Sequence, residues 1–307
     1  MLLSRKASLL IGGALIAAPS FARADAAELN VGLNSNEITA QAYYAQEAGI
    51  FKKNGLSVNL QKMAGGNVVA AAIVGGSLQV GASNCMSFAS SVIKGLPFTA
   101  IAPGAISEAE HPFSGVAVAG DSPIRSAKDL AGKVISVNSL GSTDQLAALA
   151  WLDENGGDAK SVQFIEIPPA AVPQALAQGR IAASLMFEPY LSLGRAAGLR
   201  VLADPYVAIA PRFLGTLWVA TPAWANANKA AAHAFSKSVV EGTQWSLANQ
   251  GRAVELLSDW TNMKVDKLRQ PMATTLDPAM LQPLLDAAFK YKLLPRPLVA
   301  ADLIWKG

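Results

Sequence analysis

The chain has a single cysteine, Cys85, in 307 residues, so no disulfide can form within it. Histidine is almost as scarce, with only His111 and His233. No G-x-S-x-G, H-E-x-x-H or P-loop pattern occurs. Ser, His and Asp are present, but no spacing groups them for nucleophilic catalysis. Charged residues make up only 15 %, and no basic patch suggests nucleic acid. After the first residues no charge-free apolar run is long enough to span a bilayer. These absences lead to the expectation of a protein that is not an enzyme. No metal, cofactor or nucleic acid is expected either.

What is there is apolar. At 51 % hydrophobic residues the chain can bury a large core, and its length suits two domains. The N-terminus reads as an export signal. Arg5 and Lys6 form a charged start and Ala7–Ala18 a short apolar run, followed by Ala22-Arg23-Ala24 as an A-x-A cleavage site. A retained anchor is the alternative, but Gly12, Gly13 and Pro19 interrupt the run. Residues 1–24 are therefore expected to be a signal peptide. Their loss removes Arg5, Lys6 and Arg23, which cancels the net charge of +3. The expected location is the periplasm, as a monomer. Export needs no disulfides in a chain that can bury its own core.

From Glu28 the pattern alternates strand, turn and helix. Leu29–Leu33 reads as a strand, Asn34–Glu37 as a turn and Ile38–Ala48 as a helix ended by Gly49. Phe51–Gly55 reads as a turn and Leu56–Leu60 as a strand. Gly65-Gly66-Asn67 opens a helix over Val68–Val74, Leu78–Ala82 is a strand, and a helix runs through Ile93. The later half repeats this unit. Val134–Val137, Val162–Ile167 and Ile181–Met186 read as strands, with helices over Gln145–Glu154 and Ala171–Gln178 between them. Asn34-Ser35 returns as Asn138-Ser139, 104 positions on, and Gly76 returns as Gly179, 103 positions on. A repeated β-α-β-α-β unit implies two similar α/β lobes with parallel strands.

Ser114–Ala119 and Thr216–Ala220 read as two apolar strands connecting the lobes. Helices follow over Asn228–Asn249, Arg252–Trp260 and Pro278–Tyr291. Residues 25–120 and 216–307 are thus assigned to lobe one, and 121–215 to lobe two. Two crossovers make a hinge, and a hinge between lobes makes a cleft that can close on a ligand.

Several segments resemble periplasmic solute-binding proteins for nitrate, sulfonates, taurine and thiamine pyrimidine precursors. Glu47–Val58 is similar to their E-x-G-(hydrophobic)-F-x-x-x-G-L-x-V segment, and Ser126–Lys133 to S-x-x-D-L-x-G-K. Ala175–Ala183 resembles A-L-x-x-G-x-(V/I)-D-A with Ala182 in place of Asp, and Phe187-Glu188-Pro189 resembles W/F-E-P. The resemblance implies the two-lobed type II periplasmic binding protein fold, with each lobe a mostly parallel sheet flanked by helices. It also implies capture of a small solute and delivery to the permease of an ABC importer. The solute would be sulfonate- or taurine-like or a related organic acid. A pyrimidine or other neutral heterocycle is the alternative, and an enzyme on the same fold a remote one.

Ligands of open α/β sheets bind beyond the strands' C-terminal ends. Those ends carry Asn34, Ser35, Asn36, Gln41, Asn67, Asn84 and Cys85 in lobe one. In lobe two they carry Ser139, Gly141, Ser142, Thr143 and Glu188. Each has a structural reading beside the binding one. Asn34, Asn36, Asn67, Ser142 and Thr143 can cap helices, Cys85 can fill a core, and Glu188 can brace the turn at Pro189. No arginine stands in these loops, so an anion would rely on the helix terminus at Ser142-Thr143. Glu188 would suit an amine on the same ligand.

Overall fold

The computed structural model describes residues 28–307. The expected signal peptide over residues 1–24 lies outside them. Among the described residues, no helix is long and apolar enough to cross a membrane.

The first unit follows its predicted order. β1 (Glu28–Leu33) leads through a 3-10 turn over Glu37–Thr39 into α1 (Gln41–Glu47). Gly49 takes a left-handed conformation (φ +69°) and turns the chain into α2 (Ile50–Lys53), where only a turn was expected. The difference is tertiary: Phe51 is buried and stacks on Phe235 at 5.7 Å. β2 (Ser57–Lys62), α3 (Gly66–Val74), β3 (Val80–Asn84) and α4 (Cys85–Ile93) complete the unit. At Gly81 a Cβ would lie 2.2 Å from Val69, so only glycine lets α3 pack this closely on the sheet. β4 (Thr99–Pro103) and β5 (Ile106–Glu108) lie in a stretch that periodicity leaves unassigned.

The second unit comprises β6 (Ser114–Val118), β7 (Val134–Val137), α5 (Thr143–Glu154) and β8 (Gln163–Glu166). It continues with α6 (Val172–Ala177), β9 (Ala183–Phe187), α7 (Tyr190–Ala196) and β10 (Arg200–Val201). β11 (Arg212–Leu214) and β12 (Thr216–Ala220) lead back. The C-terminal helices are α8 (Pro222–Ala227), α9 (Lys229–Ala248), α10 (Gln250–Thr261), α11 (Pro278–Lys290) and α12 (Ala300–Leu303).

Two five-stranded sheets share one plan. The first has the order β2-β1-β3-β12-β4, and the second, read in the matching direction, β8-β7-β9-β6-β10. In each, the first three strands are parallel and the fourth is antiparallel to both neighbours. The fold is therefore α/β with two lobes, as expected. The connections differ from expectation. β6 belongs to the second sheet, where Ser114–Ala117 pairs with β9, so lobe two begins before Ser114 and not at 121. β12 is likewise an interior strand of the first sheet. The chain crosses between lobes at β5 and β11, which pair with each other as a separate two-stranded ribbon. Their six residues join the two sheets, and Glu108 there contacts both His111 and Arg212. His111 Nδ1 lies 2.7 Å from Glu108 Oε1 there.

Candidate functional site

The candidate site is the set of polar turns at the C-terminal ends of the parallel strands in both sheets. Glu37 follows β1 in lobe one, and Glu188 follows β9 in lobe two.

In lobe one, the turn after β1 is held by α10. Trp260 Nε1 donates to Asn34 O at 3.3 Å, and Ser35 Oγ donates to Trp260 O. Asn34 Nδ2 donates to Met63 O at 3.2 Å, which ties the ends of β1 and β2 together. Asn36 accepts from Thr39 Oγ1 at 3.1 Å. Trp260 also stacks on Tyr43 at 4.6 Å, with Lys62 Nζ 4.3 Å from its ring centre. Glu37 Oε1 accepts from the amides of Arg269 and Gln270 at 2.6 and 2.9 Å. Burial pushes its carboxyl above the ordinary 4.5, and those two amides pull it back.

Three expected contacts of lobe one are structural. Gln41 is fully buried; its amide donates to Thr243 Oγ1 and accepts from Trp218 Nε1, both at 3.1 Å. It is a core residue, not a ligand contact. The amphipathic pattern could not show this, because its partners lie about 180–200 residues away. Cys85 is 0 % exposed, and burial pushes its thiol well above the usual range. Asn84 caps α4, its side chain accepting from Ser87 N at 2.7 Å. Asn67 is exposed and lies inside the first turn of α3, whose cap is Gly65.

Lobe two presents the turn between β7 and α5. Ser142 caps α5 with its side chain accepting from Gln145 N. Gly141 has φ +70° and donates its amide to Gln145 Oε1 at 2.7 Å. Ser139 and Leu140 both donate to Glu166 Oε1, at 3.3 and 2.7 Å. Thr143 is 6 % exposed and its Oγ1 has no partner. Behind the turn, Asp144 accepts from Tyr206 OH at 2.6 Å and from the Asn138 amide. Burial raises its carboxyl above the ordinary 3.8 despite these donors. Tyr206 packs on Phe113 and Phe213, so the turn is linked through aromatic packing to ribbon strand β11. Glu188 accepts from Ser192 N and Oγ at 3.1 and 2.8 Å, which braces the first turn of α7, whose N-cap is Pro189.

Four residues of this site were not singled out from sequence: Glu37, Trp260, Glu166 and Tyr206. Glu166 had a signal. It stands 104 positions after Lys62, the last residue of β2, in the same register that relates Asn34 to Asn138. The other three come to the site through chain-distant contacts.

Among solved structures, the periplasmic aliphatic sulphonate binding protein SsuA from Escherichia coli is similar, with a TM-score of 0.74 and 19 % identity. The match covers 91 % of this chain and 92 % of that one. The alkanesulfonate-binding protein SsuA from Xanthomonas axonopodis pv. citri, bound to MOPS, also gives 0.74, at 16 % identity over 92 % and 99 %. A mutant of DszB in complex with biphenyl-2-sulfinic acid gives 0.68, at 16 % identity over 90 % and 96 %. No curated protein sequence matches the chain significantly. In sequence, the family described as NMT1/THI5 like matches residues 36–253. That match spans well over half of the chain and both of its sheets: the protein belongs to the NMT1/THI5-like family and has the two-lobed fold of type II periplasmic binding proteins.

Proposed function

We propose that this protein is the periplasmic solute-capturing component of an ABC import system, holding a small polar solute between its lobes and passing it to a permease. The observation that carries this reading is architectural. Two sheets of like strand order are joined through the β5–β11 ribbon and the C-terminal helices, and each carries polar turns at its strand ends. A solute that touches both lobes favours the closed state by its differential affinity. Family membership supports the reading, as do fold relatives that their names describe as sulfonate-binding.

The proposed contacts are Asn34, Ser35 and Asn36 from lobe one, and Ser139, Gly141, Ser142, Thr143 and Glu188 from lobe two. Thr143 Oγ1, buried without a partner, is the strongest of these, because such a group is costly unless a ligand satisfies it. Glu37, Glu166 and Glu188 stand at these strand ends with one lysine, Lys62, so carboxylates outnumber it there. A solute with an amine beside its acid, such as a taurine-like zwitterion, fits that field better than a plain anion. An aminopyrimidine is the second reading, favoured by the same carboxylates as acceptors for its ring amine. Binding without turnover is expected, in line with fold relatives that their names describe as sulfonate-binding.

A thermal-shift screen of taurine, alkanesulfonates, nitrate, amino acids and aminopyrimidines tests this. A true solute at 100 times its dissociation constant adds about 2.7 kcal/mol and moves the melting curve visibly. Conversion of a bound solute to product would overturn the transport reading.

A further inference from the structure

The turn in lobe two already holds an anion, supplied by the chain itself. Leu140 N donates to Glu166 Oε1 at 2.7 Å, and Ser139 Oγ donates to the same oxygen at 3.3 Å. A turn of this kind, opening a twelve-residue helix, is where an anionic ligand group finds backbone donors. Beside it lies the unpartnered Thr143 Oγ1, on a side chain more than nine-tenths buried. The register that pairs Val137 with Glu166 places the carboxylate at the end of edge strand β8. Glu166 is exposed, so its side chain can rotate off the turn without disturbing the core. In lobe one the same register pairs Leu33 with Lys62. The duplicated position is thus a cation in one lobe and an anion in the other.

We propose that Glu166 is a specificity-determining residue. Its carboxylate occupies the Leu140 amide and Ser139 hydroxyl, and a solute's acidic group reaches these donors only by displacing it. The inference rests on the reading of the cleft as a solute site. A plain anion must compete with a tethered carboxylate and then lie beside it, which works against binding. A zwitterion escapes this cost, because the displaced carboxylate can pair with the solute's cationic group. Glu166 therefore selects zwitterionic solutes over simple anions of the same length.

Titration calorimetry with taurine and ethanesulfonate, two probes that differ by the amine, separates the possibilities. It compares the unaltered protein, Glu166→Gln and Glu166→Ala at one pH and ionic strength. In Glu166→Ala the affinity for ethanesulfonate is expected to rise about tenfold or more, the scale of one charge-assisted hydrogen bond. The preference for taurine is expected to fall correspondingly. Glu166→Gln keeps an acceptor without the charge, should fall between, and carries the test if the alanine variant folds poorly. An unchanged taurine-to-ethanesulfonate ratio in both variants overturns the role of Glu166 while leaving solute capture intact. Ethanesulfonate binding gained by the variants, with the unaltered protein binding neither probe, upholds Glu166 and removes sulfonates from the proposed function. No binding by any of the three proteins overturns the sulfonate reading and, with it, the role of Glu166.

Discussion

Glu188 shows how one side chain serves two levels of the structure. Its carboxylate accepts from Ser192 N and Oγ in the first turn of α7, and it stands at a strand end of the candidate site. The contact with Ser192 accounts for the bracing reading of the sequence, and the position at the strand end for the binding one. The two separate by mutation. Glu188→Gln is expected to weaken an amine-bearing solute by about 1.5–3 kcal/mol, the value of a hydrogen bond to a charged group. Ser192→Ala removes one hydroxyl hydrogen bond, is expected to lower stability by about 1 kcal/mol, and is expected to leave affinity unchanged. Calorimetry and urea unfolding on the two variants check this. Equal affinity in Glu188→Gln would reduce the residue to a brace. Gln41 marks the opposite outcome: a polar residue near a strand end that serves only the core.

Between elements, the Asp144–Tyr206 bond joins α5 to the segment leading into ribbon strand β11, and Tyr206 stacks on Phe213 of that strand. Burial holds the Asp144 carboxyl above 3.8 in the folded protein. The folded state therefore binds this proton more tightly than the unfolded chain does. The contribution to stability is full below 3.8 and is lost as pH rises through the raised value. Asp144→Asn is expected to flatten that part of the stability curve, measured by urea unfolding between about pH 4 and 7. Tyr206→Phe removes a donor from a buried carboxylate and is expected to cost about 1–3 kcal/mol. If neither variant changes the pH dependence, Asp144 is not the titrating group.

For the whole molecule, the decisive feature is what connects the sheets: one buried apolar cluster runs from Met86 of lobe one past Phe213 of the ribbon and Leu285 of α11 to Leu146 of lobe two. The β5–β11 ribbon carries both crossovers, and Gly104 beside it leaves no room for a Cβ, with Thr216 at 2.4 Å. α11 packs against both α4 and α5, and Lys290 and Tyr291 bond Asp153 at 3.0 and 2.8 Å. The C-terminal segment thus touches both lobes. A solute is expected to reduce the radius of gyration in small-angle scattering, as the lobes rotate about the ribbon. Superimposable scattering curves with and without a saturating solute would exclude closure.

The duplicated unit is legible in the chain alone. Strand and helix periods, glycine stops and the offset of about 104 residues are local properties, readable without a partner. They placed both polar turns, Asn34–Glu37 and Asn138–Thr143, at strand ends. Only the tertiary structure decided which strand belongs to which sheet. β6 and β12 look like connectors in sequence, because an apolar strand does not state its neighbour; each is an interior strand of its lobe. The same holds for the site. Trp260 reaches Asn34, Tyr206 reaches Asp144, and Arg269 reaches Glu37 over 62 to 232 residues of chain. Such pairings depend on packing geometry, and no local pattern in the chain encodes them.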